Sequence, residues 1–372
     1  VVKTLGNDKY NNSDAVAATE MPYNTLVPLR EIIPSGTNLT TYFDENPIAP
    51  LEEGEEEVAY ELVAGGNYEM DGNIDLGTTT LTIRGDKVNH AKVTMKGNAS
   101  FINHGAGLKV KFIDFDFDES TYTASNSRGL IMFNAAEAGI VQQPYVFQSC
   151  NLTHMPVPLY YCNNGYALAA LSVDDCLVSI KDGSTTFIAF NGQGWIKDLS
   201  FTNSTIYYPV AGNGYLVQMR GRTPSNFSGS GWSSSLRKMN NCTFYRIGNN
   251  RFFNNVIGSN SAVFTLEMQN TIFADCVVSS STGTEGVFRR ICNAGNYGNV
   301  NYTLAYNTYY YSAVPGGFLD YDTSDDAGRD HSGTAIKVAP RFADAANGDF
   351  TLSSSEHIAN RCGDPRWLPA TE

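Results

Sequence analysis

The chemistry-bearing residues of this chain concentrate between positions 220 and 290. Eight basic side chains fall there (Arg220, Arg222, Arg237, Lys238, Arg246, Arg251, Arg289 and Arg290) against three acidic ones (Glu267, Asp275 and Glu285). The whole 372-residue chain carries 25 basic and 38 acidic residues, a net charge of −13. The segment is therefore +5 in a chain whose remainder is −18. Guanidinium groups bind carboxylates and sulfates through two parallel hydrogen bonds, so this reversal points to an anionic ligand such as a uronic-acid or sulfated glycan. The competing reading is that the arginines brace loops and balance the acidic remainder. The acidic balance overall argues against nucleic acid or an anionic membrane surface as partner.

Spacing gives the concentration a shape. Arg220 ends YLVQMR (215–220), Arg251 begins RFFNNV (251–256), and Arg289 and Arg290 lie within VFRRIC (287–292). GFLDYD (317–322) brings Asp320 and Asp322 to the same place in the pattern, and Gln218, Asn254 and Asn255 stand between the charges. If these segments are stacked strands, their polar groups make a patch four rungs tall, on the order of 15–20 Å at the inter-strand spacing. That length suits several sugar units. The insertion RTPSNFSGSGWSSS (222–235) would wall the patch and offer Trp232 as a stacking face, and Tyr160 and Tyr161 of PLYYCN (158–163) would extend it by a rung.

The elements that must position these residues announce themselves by repetition. A six-residue phrase, apolar–any–Asn/Asp/Ser–small–any–apolar, occurs seven times. It reads FIDFDF (112–117), FQSCNL (147–152), VDDCLV (173–178), FTNSTI (201–206), MNNCTF (239–244), MQNTIF (268–273) and AYNTYY (305–310). Alternating burial before the third position marks a strand with one buried face. The alternation then resumes out of phase, which requires a tight bend at the third position. Asp114, Asp175, Asn203, Asn241, Asn270 and Asn307 suit that bend, because Asn and Asp tolerate left-handed backbone angles. The phrase is constant while its spacing varies, as in stacked rungs with loops of variable length. Between its copies runs a second ladder: GLIMFN (129–134), PLYYCN, TFIAFN (186–191), YLVQMR, RFFNNV, VFRRIC and GFLDYD. Each rung thus offers a strand, a loop, a strand, a bend and a short third strand.

This arrangement resembles the right-handed parallel β-helix of the pectin-lyase-like superfamily. GNYEMDGNIDLGTTTLTIRGD (66–86) and AKVTM (91–95) look like its opening rungs. APRFADAANGDFTLSSSEHIANRCGDPRW (339–367) resembles the closing segment of β-helix proteins from Bacteroidetes glycan-utilisation loci. The resemblance implies an all-β solenoid of three sheets. It also implies a polysaccharide groove on the sheet of the second ladder, and a secreted or outer-surface location, by way of a lipid anchor outside this sequence. A lyase of this architecture needs a base beside the uronate α-carbon, a role open to Arg289 or Arg290. It also needs a carboxylate neutraliser, often Ca2+, for which Asp320 and Asp322 are the candidates. The loop YDTSDDAGRDH (321–331) matches no calcium-loop pattern and reads as solvated. Three functions stay open: recognition of an acidic polysaccharide in the groove, β-elimination on a uronate polymer, and a structural or adhesive solenoid. Of these, recognition is the expectation carried forward, by a chain acting as a monomer.

The remaining residues set boundaries. Residues 58–338 are expected to form the β-helix, 1–57 an N-terminal extension with TLVPLREII (25–33) as an amphipathic cap and PLEEGEEE (50–57) as an acidic linker, and 339–372 a capping segment. Phe350 and Trp367 read as core-sealing residues. Seven cysteines lack CxxC or ligand-like spacing, which disfavours zinc, and Cys150, Cys176 and Cys242 share one column as small buried residues. Asn203 and Asn241 sit in glycosylation-type triplets, but bend geometry explains them better. The alternating run Asp114, Asp116, Asp118 reads as an exposed strand face. None of the five histidines stands at motif spacing from a nucleophile, and no run of about eighteen apolar residues suggests a membrane span.

Overall fold

The computed structural model describes residues 27, 29–125, 127–133, 141–162, 166–190, 194–219, 232, 234–248, 252–254, 263–276, 300–313, 317 and 330–370. Three parallel sheets run the length of the molecule and together form a right-handed parallel β-helix. Among the described residues, the upstream sheet, which precedes each bend, has eleven strands. The downstream sheet, which follows it, has nine, and the interleaved sheet of the second ladder has seven. Inward side chains from all three merge into one apolar core reaching from Ile33 to Tyr311. Stacking in register shows in the rings: Phe244 lies 5.4 Å from Phe273, which lies 5.5 Å from Tyr309, with interplanar angles of 17° and 5°. Parallel strands buried on the inner face are continuously apolar there, as in TFIAFN, where Phe187, Ile188 and Phe190 are wholly buried.

The bend between upstream and downstream sheets is built by a left-handed residue on each of the seven rungs that carry the phrase. Ser149, Asp175, Asn203, Asn241 and Asn270 have φ between 49° and 53°, at the positions the phrase assigns. The ladder continues through the bend, with Asn203 N donating to Asn240 O (3.0 Å) and Asn241 N to Gln269 O (2.9 Å). Asn241 also donates to the Asn203 side chain at 3.3 Å, so these residues form a polar column outside the bend.

At both ends of the array the register differs from the expected one. The left-handed residues are Phe112 (φ 58°) and Tyr306 (φ 53°), so Asp114 and Asn307 are not the bend positions. Asp114 lies on strand Ile113–Tyr122 opposite Asn151, because FIDFDF alternates throughout and fits the phrase in more than one phase. Asn307 moves into the column after the bend, where it is wholly buried.

That column does more than pack. Cys150, Cys176, Ser204, Cys242, Thr271 and Asn307 are all buried and point a thiol, hydroxyl or amide at carbonyls that the bend leaves facing inward. Cys176 Sγ donates to Phe147 O (3.6 Å), Ser204 Oγ to Thr202 O (2.6 Å), Thr271 Oγ1 to Met239 O (2.8 Å) and Asn307 Nδ2 to Met268 O (2.8 Å). Small donors recur there because a buried carbonyl without a partner costs about 1–3 kcal/mol. The six described cysteines are all buried, and none is held in a disulfide.

Two segments outside the coil complete the fold. Leu29–Ile33 is not an amphipathic cap but a strand paired in parallel with Val58–Leu62, extending the upstream sheet by one. Helix Leu39–Glu45 buries Leu39 and Phe43 in the core, and the Asn38 side chain caps it by accepting from Thr41 N at 3.2 Å. The acidic stretch after it is tied down: Arg30 pairs with Glu52 at 2.8 Å and with Glu55, and Lys109 pairs with Glu57.

At the other terminus, residues 336–368 lie along the outer face of the downstream sheet as a strap. Ile336, Phe350, Leu352, Cys362 and Leu368 form a second core with Tyr245, Ile272 and Ala274 of that sheet. Phe350 is wholly buried, and Trp367 packs on the same cluster while its Nε1 donates to Thr205 Oγ1 at 2.8 Å. The GDPRW stretch is the clasp. Asp364 caps the 3-10 turn Pro365–Trp367, accepts from Thr205 Oγ1 (2.8 Å), and pairs with Arg366, which reaches Asp175 on an earlier rung at 3.1 Å.

Candidate functional site

On the interleaved sheet the outward residues form a single row along the helix axis. The strand register gives Asp75, Ile102, Met132, Tyr161, Ala189 and Gln218 in that order, and the backbone of Gln218 pairs next with that of Asn254. The row is apolar in the middle and becomes polar at Gln218. Neighbouring residues in it stand about 4.8 Å apart. Tyr161 is only 5% exposed, and Gln218 is half-buried. Arg220 follows this strand by one residue and Arg251 precedes Phe253 by two, so the polar end of the row coincides in sequence with the arginines.

Most of the residues singled out from sequence lie outside the described residues: Arg220, Arg222, Arg251, Asn255, Arg289, Arg290, Asp320 and Asp322. Of the eight basic residues of 220–290, three are described, and each has a structural task. Arg237 points into the core of the upstream sheet, in register between Leu199 and Leu266. Lys238 pairs with Glu267 at 3.3 Å. Arg246 lies over the Tyr245 ring at 4.8 Å and donates to Pro209 O at 2.6 Å. Trp232 is half-buried against the main core.

Tyr160 is not part of an outer groove, since strand alternation turns it inward and it is wholly buried. It belongs to a polar cluster inside the coil, in which Gln142 Nε2 donates to Tyr160 Oη (2.9 Å), Tyr145 Oη donates to Gln142 Oε1 (2.8 Å) and Asn103 reaches Tyr145. Burial pushes both phenols well above their ordinary range, so they act as neutral hydrogen-bonding groups.

Arg237 is the residue whose role the sequence concealed. It is 2% exposed and donates to Ile196 O (2.8 Å), Lys197 O (2.9 Å), Leu236 O (2.7 Å) and Ser235 Oγ (2.8 Å), beneath the Trp195 ring at 5.1 Å. Burial pulls its guanidinium down to about 9, while the Asp198 carboxylate pulls it back up. At neutral pH it is a buried cation held by carbonyl oxygens and an aromatic face. Nothing local distinguishes it from the arginines around it; only its parity on the strand does.

The outer face of the downstream sheet carries two of the five histidines. His90 Nδ1 meets Asp114 Oδ1 at 2.9 Å and His154 Nδ1 meets Asp116 Oδ1 at 2.9 Å, from rungs on either side of the strand that holds the aspartates. The aspartate run does face outward, and its partners are 24 and 38 residues away, beyond the reach of any local motif. Among the described residues no group of three or more His, Cys, Asp or Glu is placed to hold a metal ion. No helix among them is long and apolar enough to cross a membrane.

Fold and sheet register define the class: a parallel β-helix with a laterally strapped outer sheet and a graded row on the interleaved one. Three family models match the chain in succession. Residues 66–209 match the domain of unknown function DUF4957, residues 238–367 match the domain of unknown function DUF5123, and residues 1–65 match a further domain of unknown function. The DUF4957 match covers the early rungs, and the DUF5123 match covers the later rungs together with the strap. No curated protein matches the chain.

Proposed function

We infer that the protein recognises an acidic polysaccharide along the outer face of the interleaved sheet. The observation that carries this is the row Tyr161, Ala189, Gln218, which turns polar at Gln218, two residues before Arg220 in the sequence. A parallel sheet repeats every 4.8 Å or so, which lets an extended polymer meet successive rungs in like manner. The resemblance to pectin-lyase-like β-helices and to Bacteroidetes glycan-utilisation proteins supports the same reading, and a location outside the cell, where such polymers are met, is part of the proposal. Binding is the proposal, since the described residues favour no particular cleavage chemistry.

Calorimetric titration with polygalacturonate, alginate and heparin, beside neutral dextran, tests it. The acidic polymers should bind and weaken with added salt, and dextran should not bind. Gln218→Ala combined with Arg220→Ala should lower the affinity at least ten-fold, since a hydrogen bond to a charged group contributes about 1.5–3 kcal/mol. Failure of all three acidic polymers, or unchanged binding in the double variant, refutes it.

A further inference from the structure

A second site lies in the turns that connect the downstream sheet to the interleaved one, on earlier rungs. Three successive turns enclose a cleft of about 300 Å3. Glu119 and Tyr122 come from the overhanging end of strand Ile113–Tyr122, His154 from the next rung, and Lys181, Asp182 and Ser184 from the one after. The volume is at the lower end of ligand-pocket sizes and suits one pyranose ring.

Its walls are fixed before any ligand arrives. Ser184 N donates to Asp182 Oδ1 at 2.8 Å, and Gly214 N on the following rung donates to Gly183 O at 2.7 Å. A Cβ on Gly183 would fall 2.4 Å from Val210 O, so this glycine allows the two turns to stack. Opposite, the Tyr122 ring packs edge-on against Phe117 at 4.9 Å and its hydroxyl donates to Ala99 O at 3.1 Å. Between the walls, Lys181 Nζ meets Glu119 Oε2 at 3.0 Å, and His154 is oriented by Asp116. Both members of the ion pair are about half exposed, 43% and 51%, so each keeps capacity for a further hydrogen bond.

We propose that this cleft binds a single neutral sugar residue, a chain end or branch, independently of the acidic-polymer row. A pyranose presents vicinal hydroxyls that donate and accept at once. The cleft answers with carboxylate acceptors (Glu119, Asp182), an ammonium donor (Lys181), an imidazole and a hydroxyl, beside an aromatic wall. The charge balance sets the class. Glu119, Asp182 and the Asp116 carboxylate behind His154 outnumber Lys181, which disfavours a uronate or sulfate and distinguishes this site from the arginine-associated one.

Saturation-transfer NMR with a panel of methyl glycosides (glucoside, galactoside, mannoside, xyloside and N-acetylglucosaminide) tests the assignment, with methyl galacturonide as the charged comparator. At least one neutral glycoside should receive saturation, and it should bind at least five-fold more tightly than the galacturonide. Asp182→Ala with Lys181→Met should abolish that transfer while leaving acidic-polymer binding unchanged. No transfer to any neutral glycoside, preference for the galacturonide, or transfer surviving in the double variant overturns the proposal. Loss of polymer binding in that variant, with the fold intact by circular dichroism, overturns the independence of the two sites.

Discussion

Acidification should leave the docking of the C-terminal strap nearly unchanged in the native chain and shift it in opposite directions in two variants. Asp364 and His357 are both buried in the strap, at 1% and 0% exposure. Burial raises Asp364 from its ordinary 3.8 to about 6, against the downward pull of Arg366 and the hydrogen bond from Thr205. Burial also lowers His357 from 6.5 to about 4, where it touches Thr308 Oγ1 at 2.9 Å and Ser354 Oγ at 2.7 Å. From about pH 4 to 6 the docked strap keeps a proton on Asp364 that the free strap releases. The contribution of Asp364 therefore falls as pH rises through that window. Over much the same window the free strap binds a proton on His357 that the docked strap excludes, so its contribution is lost as pH falls.

Each displacement spans a little over 2 pH units, and at about 1.4 kcal/mol per unit each effect is about 3 kcal/mol, with opposite sign. The variants separate them. In His357→Gln only the aspartate titrates, so strap opening should become harder on going from about pH 6.5 to 4.5. In Asp364→Asn only the histidine titrates, and opening should become easier over the same range. The readout is hydrogen exchange of the Gly363 and Asp364 amides, which bond to Asn270 O (2.7 Å) and Thr243 Oγ1 (3.1 Å), corrected for intrinsic rates. Between pH 6.5 and 4.5 most of each effect is sampled, about 2 kcal/mol or roughly twenty- to forty-fold in the opening constant. If neither variant's constant moves by more than about three-fold, burial of these two groups is not what governs the strap.

Two further outcomes follow from the core and the bend. Arg237→Ala should destabilise the fold by about 3–5 kcal/mol in urea unfolding, because four acceptors lose a charged donor, whereas Asp198 keeps its ion pair with Lys197. Arg237→Met, which keeps the volume, should cost less; equal costs would mean that packing alone is at work. Tyr306 holds φ 53° with 41% of its surface exposed, so Tyr306→Asn should raise stability by about 0.5–1 kcal/mol by relieving a left-handed tyrosine. A loss of stability would show that its ring contributes more than the strain removes.

Of the candidate site, the sequence made the sheet legible and not the side chains. The second ladder located the interleaved sheet, and its register does bring Tyr161 and Gln218 into one outward row. It also placed Tyr160 beside Tyr161, yet adjacent residues on a strand face opposite ways, and Tyr160 is inside. Counting charge identified 220–290 but could not tell an arginine for ligands from one for the core. Arg237 and Lys238 are consecutive, and only the first is buried.

The sequence by itself determined the solenoid, because burial on one face of a strand writes its period directly into the residues. It also determined five of the seven bends, where an Asn, Asp or Ser at the break leaves one phase available. At FIDFDF and AYNTYY the apolar residues fit more than one phase, and pairing with the neighbouring rung decided for Phe112 and Tyr306. The strap, too, is a decision of the tertiary structure. Its residues read as a closing segment, and nothing near them in sequence names a partner, since Asp364 meets Thr205 across 159 residues. Only the folded sheet presents the threonine and tyrosine rows of the later rungs as one surface, and burial against that surface turned an expected end-cap into a lateral clasp.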